Sequence, residues 1–243
     1  MSDLLSAGRL ITIGDIHGCF TALEALLEML SLRDDDQLVT LGDYVDRGPD
    51  SRRVLDRLIE LFDRGRLIPL RGNHELMMLR ARDSLNEEKF WRNFGGDDAL
   101  ESYSTEDRQG RLKDVPDRHW RFIASDCRDW HESDEHIFVH ASANPILPLE
   151  MQSEDDLFWR GLSDRGPHVS GKTIICGHSV QENGVPKNLG HTIGIDTGAY
   201  AGGWLTALDV RTLAYWQASE FGETREGTVE PAISRMPRHS WSQ

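Results

Sequence analysis

The sequence predicts an α/β fold in which a sheet is flanked by helices and interrupted by a helical cap insertion. Three strand–loop–helix units in the first third, a glycine near the end of each strand, and a charged, tryptophan-rich stretch at 84–131 carry that expectation. In the first unit, residues 9–13 (RLITI) form a β-rich run that stops at Gly14, and TALEALLEML from Thr21 has amphipathic helical spacing. In the second, residues 37–41 (QLVTL) read as a strand, GDYVDRGPD as a loop and SRRVLDRLIELF as a helix opening near Ser51. The third repeats the pattern with strand 67–70, loop RGNH and helix ELMMLRAR. Such units build a parallel or mixed sheet whose ligand-binding loops lie at the strand C-terminal ends.

Residues 84–131 are charged and mostly helical in spacing, with Phe90, Trp91, Phe94 and Leu100 as the expected apolar anchors of the cap. Beyond them, 136–139 (HIFV), 173–176 (TIIC), 191–195 (HTIGI), 204–209 (WLTALD) and 212–216 (TLAYW) read as strands separated by glycine and proline turns. These strands are expected to form a second, more antiparallel sheet. The chain is expected to be one domain over 1–219, with 220–243 a loose, polar C-terminal tail.

With 243 residues, 38% of them hydrophobic, the chain can bury a sizeable core. No apolar run is long enough to span a membrane, and MSDLLSAGR lacks the basic start of a secretory signal, so a cytoplasmic protein without membrane attachment is expected. Cys19, Cys127 and Cys176 have no paired spacing and are expected to be reduced and buried. A net charge of -14 repels nucleic-acid phosphates and argues against general nucleic-acid binding. A compact phosphate site is still compatible with that charge where bound cations reverse the sign locally.

The three βα loops read Gly14-Asp15-Ile16-His17-Gly18, Gly42-Asp43-Tyr44-Val45-Asp46-Arg47-Gly48 and Arg71-Gly72-Asn73-His74-Glu75. His140 follows the strand HIFV, and His178 follows TIICG. Five strand ends thereby offer carboxylate, imidazole and amide ligands toward one edge. Without thiolates, this set suits Mn, Fe or Zn and argues against copper or a structural cysteine site. Two metals roughly 3.5–4 Å apart need a bridging carboxylate, and Asp43 in the central loop is the natural bridge. Two divalent ions set against Asp15 and Asp43 leave a site of about +2, which fits a phosphate dianion. Arg47 and Arg71 add planar forks for phosphate oxygens. Asp46 holding and charging His74 makes a general acid for a departing alkoxide. His119, His131, His136, His168 and His191 lie outside these loops and read as packing or surface residues, and Asp34, Asp35 and Asp36 as a solvated loop.

GDIHG, GDYVDRG, RGNHE, VHA and CGHS, in this order and spacing, resemble the phosphoprotein phosphatase family of calcineurin-like metallophosphoesterases, particularly its short bacterial and phage members. The resemblance spans about 9–209 and includes WRNFGG and GIDTGAYAGGWLTALDV. It implies a β-sandwich flanked by helices, an Mn, Fe or Zn pair, and attack by a bridging hydroxide without a covalent intermediate. It also implies Asp15, His17 and Asp43 on one metal and Asp43, Asn73, His140 and His178 on the other, with Asn73 also against the phosphate. The family's further phosphate-binding arginine matches Arg160 or Arg165 in LFWRGLSDR, with Arg160 preferred because Trp159 precedes it. The implied substrate is a phosphorylated protein, on Ser/Thr side chains with Tyr as a further target. The sister branch of symmetrical dinucleotide tetraphosphate hydrolases is the alternative, although it tends to lose the residues that stand here as Asp46 and Glu75. A non-catalytic scaffold would be expected to lose ligands, and every ligand is present.

Overall fold

The computed structural model describes residues 8–232. Strands β1 (Leu10–Ile13), β2 (Gln37–Thr40) and β3 (Leu67–Pro69) alternate with helices α1 (Phe20–Leu30), α2 (Ser51–Asp63) and α3 (Asn73–Ala81). The three strands run parallel, as the repeated βα units require. Asp50 caps α2 by accepting from the Arg53 amide, and the helix lays Val54, Leu55, Leu58 and Leu61 on one buried face. Burying each such side chain stabilises the fold by about 1.5–3 kcal/mol.

After α3 the cap is formed by α4 (Leu85–Trp91), α5 (Asp97–Glu101) and α6 (Asp117–Arg121), with a break at Gly95, whose φ is 108°. Trp91 and Leu100 are buried as expected, but Phe90 and Phe94 stand 46% and 43% exposed, their rings 4.8 Å apart. Only one side of this short helix faces the core, and Trp91 occupies it.

The second sheet holds β4 (Trp130–Glu132), β5 (His136–Val139), β6 (Thr173–Cys176), β7 (Lys187–Asn188) and β8 (Thr192–Gly194) in the order β4-β5-β6-β8-β7. The expectation of a more antiparallel sheet is corrected here: β5, β6 and β8 are mutually parallel, and only the edges are antiparallel. The crossovers between these strands lack a long amphipathic helix, so the usual signal of parallel pairing is missing. Strands β9 (Leu205–Asp209) and β10 (Ala214–Ala218) also depart from expectation, because β9 pairs antiparallel with β1 and extends the first sheet. The tail is likewise corrected in part: β11 (Thr224–Thr228) pairs with β10 at the sheet edge, while residues 233–243 lie outside the described residues.

The two sheets pack face to face with period-two alternation. Val39, Leu208, Phe138, Ile175 and Ile193 meet between them, whereas Ile11, Ile13 and Leu38 face α1 and α2. Asp36 is not the solvated residue its neighbours suggested. It is buried and accepts from the Arg9 side chain and the Arg9 and Arg33 amides, which hold its carboxyl well below the usual range despite burial.

Candidate metal centre

Every parallel strand delivers polar residues from its C-terminal end. Asp15 and His17 follow β1, Asp43, Asp46 and Arg47 follow β2, and Asn73 and His74 open α3 after β3. From the second sheet, His140 follows β5, His178 follows β6 and Asp196 follows β8. The sandwich brings the two edges together, since the His178 amide donates to Asp15 and His140 Nδ1 donates to the Leu41 carbonyl at 2.9 Å.

Nitrogen and oxygen atoms of His17, Asp43 and His74 gather on one side, with His74 where Asp15 was expected, and those of Asp43, His140 and His178 on the other, each set within 4.8 Å. Asp43 belongs to both. Its Oδ2 lies 3.4 Å from His17 Nε2 and its Oδ1 lies 3.5 Å from His140 Nε2, the arrangement of a bridging carboxylate. Asn73 Oδ1 stands 2.9 Å from His140 Nε2. Asp15 sits beside these sets, where only glycine at 177 fits, since a Cβ there would fall 2.0 Å from its Oδ1. Gly72 is needed for the same reason: a Cβ would lie 2.1 Å from Asp43 Oδ1.

Hydrogen bonds fix which imidazole nitrogen is available. His17 Nδ1 donates to the Val45 carbonyl at 2.9 Å, as His140 Nδ1 does to Leu41, so both Nε2 atoms carry lone pairs. Burial pushes these imidazoles down to about 3 for His17 and about 4 for His140, leaving them neutral at ordinary pH. His178 Nε2 faces the Trp159 carbonyl at 3.2 Å, which leaves Nδ1 as its donor atom.

These residues fit divalent cations. His140 Nε2 and the Asn73 amide oxygen are both acceptors, yet they face each other beside Asp43, an arrangement a shared cation stabilises. Burial and the charges of Asp196 and Asp43 raise the Asp15 carboxyl well above its usual range, a crowding of carboxylates that a cation would relieve. Burial drives Cys19 and Cys176 up to about 12, and neither thiol belongs to a candidate ligand group among the described residues.

The backbone of this edge is strained. Among the described residues, positive φ at non-glycine positions is recorded at seven sites, and five are His17, Asp43, Asp46, Arg47 and His178. Each such conformation costs roughly 1–3 kcal/mol and persists only where the surroundings hold it. Glu75 supplies much of that hold. Its buried carboxylate accepts from the amides of Asp43, Tyr44 and Gly72, each at 2.8 Å, and of Val45 at 3.2 Å. Burial and the Asp43 charge push the Glu75 carboxyl up to about 7, against the pull of those amides.

Asp46 and His74 form the expected pair, with Nδ1 2.7 Å from Oδ2. Burial raises Asp46 to about 6, opposed by its bonds to His74 and Trp91. Burial alone would lower His74, but the Asp43 and Asp46 carboxylates overcome it and leave the imidazole raised. His74 Nε2 lies 4.0 Å from Asp43 Oδ2 and so faces the ligand cluster. Arg47 lies over the Tyr200 ring at 4.6 Å, with Nη1 3.1 Å from His17 Nε2, and no carboxylate pairs with it among the described residues.

Arg71 is a correction. Its guanidinium is spent on the cap, donating to the carbonyls of Ile123, Ala124 and Cys127 and to Asp129, so it braces the insertion instead of facing phosphate. Arg160 follows Trp159, whose carbonyl meets His178, and its Nε pairs with Asp156 at 3.0 Å. Arg165 shares that carboxylate at 2.8 Å. Sequence reasoning gave no role in the site to Glu75, Asp196 or Tyr200, and took Trp91 as an apolar anchor of the cap. Asp196, pushed up to about 6 by burial, obeys the same strand-terminus rule in GIDTGA and was findable there.

Residues 8–192 match the family model described as calcineurin-like phosphoesterase. The chain belongs to this family of metallophosphoesterases, hydrolases whose fold implies divalent metals. It is 32% identical over 206 residues to Serine/threonine-protein phosphatase 1 of Salmonella typhimurium, covering 82% of this chain and 90% of that one. A symmetrical bis(5'-nucleosyl)-tetraphosphatase of Acidovorax sp. is 49% identical over 73 residues, 30% of this chain and 25% of that protein. A structure solved for a candidate diadenosine tetraphosphatase shares the fold, with TM-score 0.61, 21% identity, and 93% and 96% of the two chains covered. Among the described residues no helix is long and apolar enough to cross a membrane.

Proposed function

We propose that this chain is a metal-dependent phosphomonoesterase acting on phosphorylated protein side chains, Ser/Thr and also Tyr. The observation that carries the choice of substrate is the extent of similarity: the protein phosphatase is matched along 90% of its length, the tetraphosphatase along 25%. The second reading, a dinucleotide tetraphosphate hydrolase, rests on the higher local identity of that shorter match.

In this reading Asp15, His17 and Asp43 would hold one divalent ion, and Asp43, Asn73, His140 and His178 the other, with Mn the first choice and Fe or Zn compatible with the same donors. When bound, the ions supply Lewis acidity to the phosphoryl oxygens and lower the pKa of the attacking water. Arg47, stacked on Tyr200, offers its fork to the phosphate, with Asn73 as a further contact and Arg160 as another once it turns from Asp155 and Asp156. His74, charged by Asp46, faces the site through Nε2 and gives its proton to the departing oxygen. The exposed Phe90 and Phe94 precede Gly95, whose carbonyl accepts from the Arg47 amide, so a polypeptide has an apolar ledge beside the phosphate site.

Turnover of phosphoserine, phosphothreonine and phosphotyrosine peptides, p-nitrophenyl phosphate and diadenosine tetraphosphate, with Mn and then with chelator, tests this. Phosphopeptides should give the highest kcat/KM, and chelation should abolish it. Preference for the dinucleotide would install the second reading, and no turnover with any metal would remove both.

A further inference from the structure

Trp91 ends α4 and is fully buried. Its indole N–H donates to both oxygens of Asp46, 3.0 Å from Oδ1 and 2.8 Å from Oδ2. Oδ2 is the same atom that accepts from His74 Nδ1. An indole N–H is a donor only, so it accepts no alternative arrangement in which Asp46 turns a proton toward it. The ring is wedged in place, because a Cβ on Gly96 would lie 2.5 Å from its Cδ2. The same segment reaches Arg47 through the Gly95 carbonyl, so the cap grips two adjacent residues of the strained second loop.

We propose that Trp91 is a positioning residue for the reaction: its indole N–H fixes the plane of the Asp46 carboxylate, and thereby the aim of the His74 imidazole at the leaving oxygen. The role rests on the phosphoester hydrolysis proposed above. In that reaction water adds to phosphorus as the P–O bond to the leaving group breaks. The electron pair goes to the leaving oxygen, which takes the His74 proton, and the proton lost by the attacking water restores the imidazole. A cap residue thus serves the chemistry from outside the three βα loops, through Asp46 and without touching substrate.

The discriminating readout is the dependence on leaving group, since a general acid matters most where the departing oxygen is a poor leaving group. Three proteins are compared with the parent on p-nitrophenyl phosphate, phenyl phosphate and a phosphoserine peptide. They are Trp91→Phe, the chain carrying 3-benzothienylalanine at position 91, and His74→Asn. The benzothienyl group keeps the bicyclic ring without the N–H, so it decides the matter should Trp91→Phe fail to fold. Both changes at position 91 should lower kcat on the peptide by about ten- to a hundredfold, part of the ~10²–10⁴-fold of a general acid. The loss on p-nitrophenyl phosphate should be much smaller, with KM and metal content unchanged. Adding the benzothienyl group to Asp46→Asn should cost nothing further. A steep leaving-group dependence in His74→Asn but a flat one at position 91 overturns the role of Trp91 alone. A flat dependence in His74→Asn overturns the acid assignment beneath it.

Discussion

The two ends of the parallel strands are of opposite character. At the N-terminal end of β5 and β6 lies an open cleft of about 900 Å³ lined by Asp134, Glu135, His136, Lys172 and Arg211 among others. Its charges stand in water, as with the Lys172 to Glu132 pair at 2.9 Å, and Leu213 is its one non-glycine residue with positive φ. The C-terminal end instead buries Asp15, Asp43, Asp46, Glu75 and Asp196 with His17, His74 and His140. It also holds five residues in left-handed backbone conformations. An open cleft lined by charge therefore does not by itself mark the site. Desolvated charge held by a strained backbone does.

That contrast is broken most severely by Asp43→Asn, which removes the shared carboxylate from both ligand sets. Losing a residue that merely orients a ligand weakens metal affinity about 10–100-fold, so losing the bridge should exceed about 100-fold and reduce turnover to background. Metal titration and phosphatase assays check both. Glu75→Gln comes next. It turns an amide NH₂ toward backbone donors now bonded to a carboxylate, at a cost of about 1–3 kcal/mol for each amide left unsatisfied. Urea unfolding should show the lower stability, together with a lower kcat.

The buried carboxyls predict a pH dependence of metal binding. Burial holds Asp196 at about 6, and burial with neighbouring carboxylates holds Asp15 well above its usual range, so both retain protons that a cation must displace. Apparent metal affinity should therefore rise as pH climbs through about 6, by about tenfold per pH unit for each proton released. Calorimetry in two buffers of different ionisation enthalpy measures the release, and an affinity independent of pH would contradict it. Tyr200→Leu sharpens the contrast more gently. Removing the ring beneath Arg47 should raise KM for p-nitrophenyl phosphate about two- to fivefold with kcat little changed. At the other end, Lys172→Ala should shift stability by less than about 1 kcal/mol and leave turnover unchanged.

How much of this was legible in the sequence follows the same division. The three βα units announce themselves because α1 and α2 each bury one face at helical spacing and β1, β2 and β3 end in glycine-bearing loops. Candidate ligands at those strand ends could thus be named one by one. Strand partners chosen by tertiary packing could not, and β9 and β10 were assigned to the wrong sheet because alternation reveals a buried face but not its neighbour. Arg71 shows the same limit from the side of chemistry. Its position beside Gly72 looked like a phosphate clamp, yet three cap carbonyls and Asp129 claim its donors. Trp91 is the converse, an aromatic residue in a helical stretch whose N–H reaches a carboxylate 45 residues away.

The central claim is a pair of divalent ions bridged by Asp43, and its most direct measurement is metal content with turnover in the same sample. The parent chain, stripped by chelator and then titrated with Mn, should regain phosphoester hydrolysis in step with two ions per chain, one for each ligand set, while Asp43→Asn should bind fewer and regain nothing. Full turnover in the stripped chain, or two retained ions and full activity in Asp43→Asn, would contradict it.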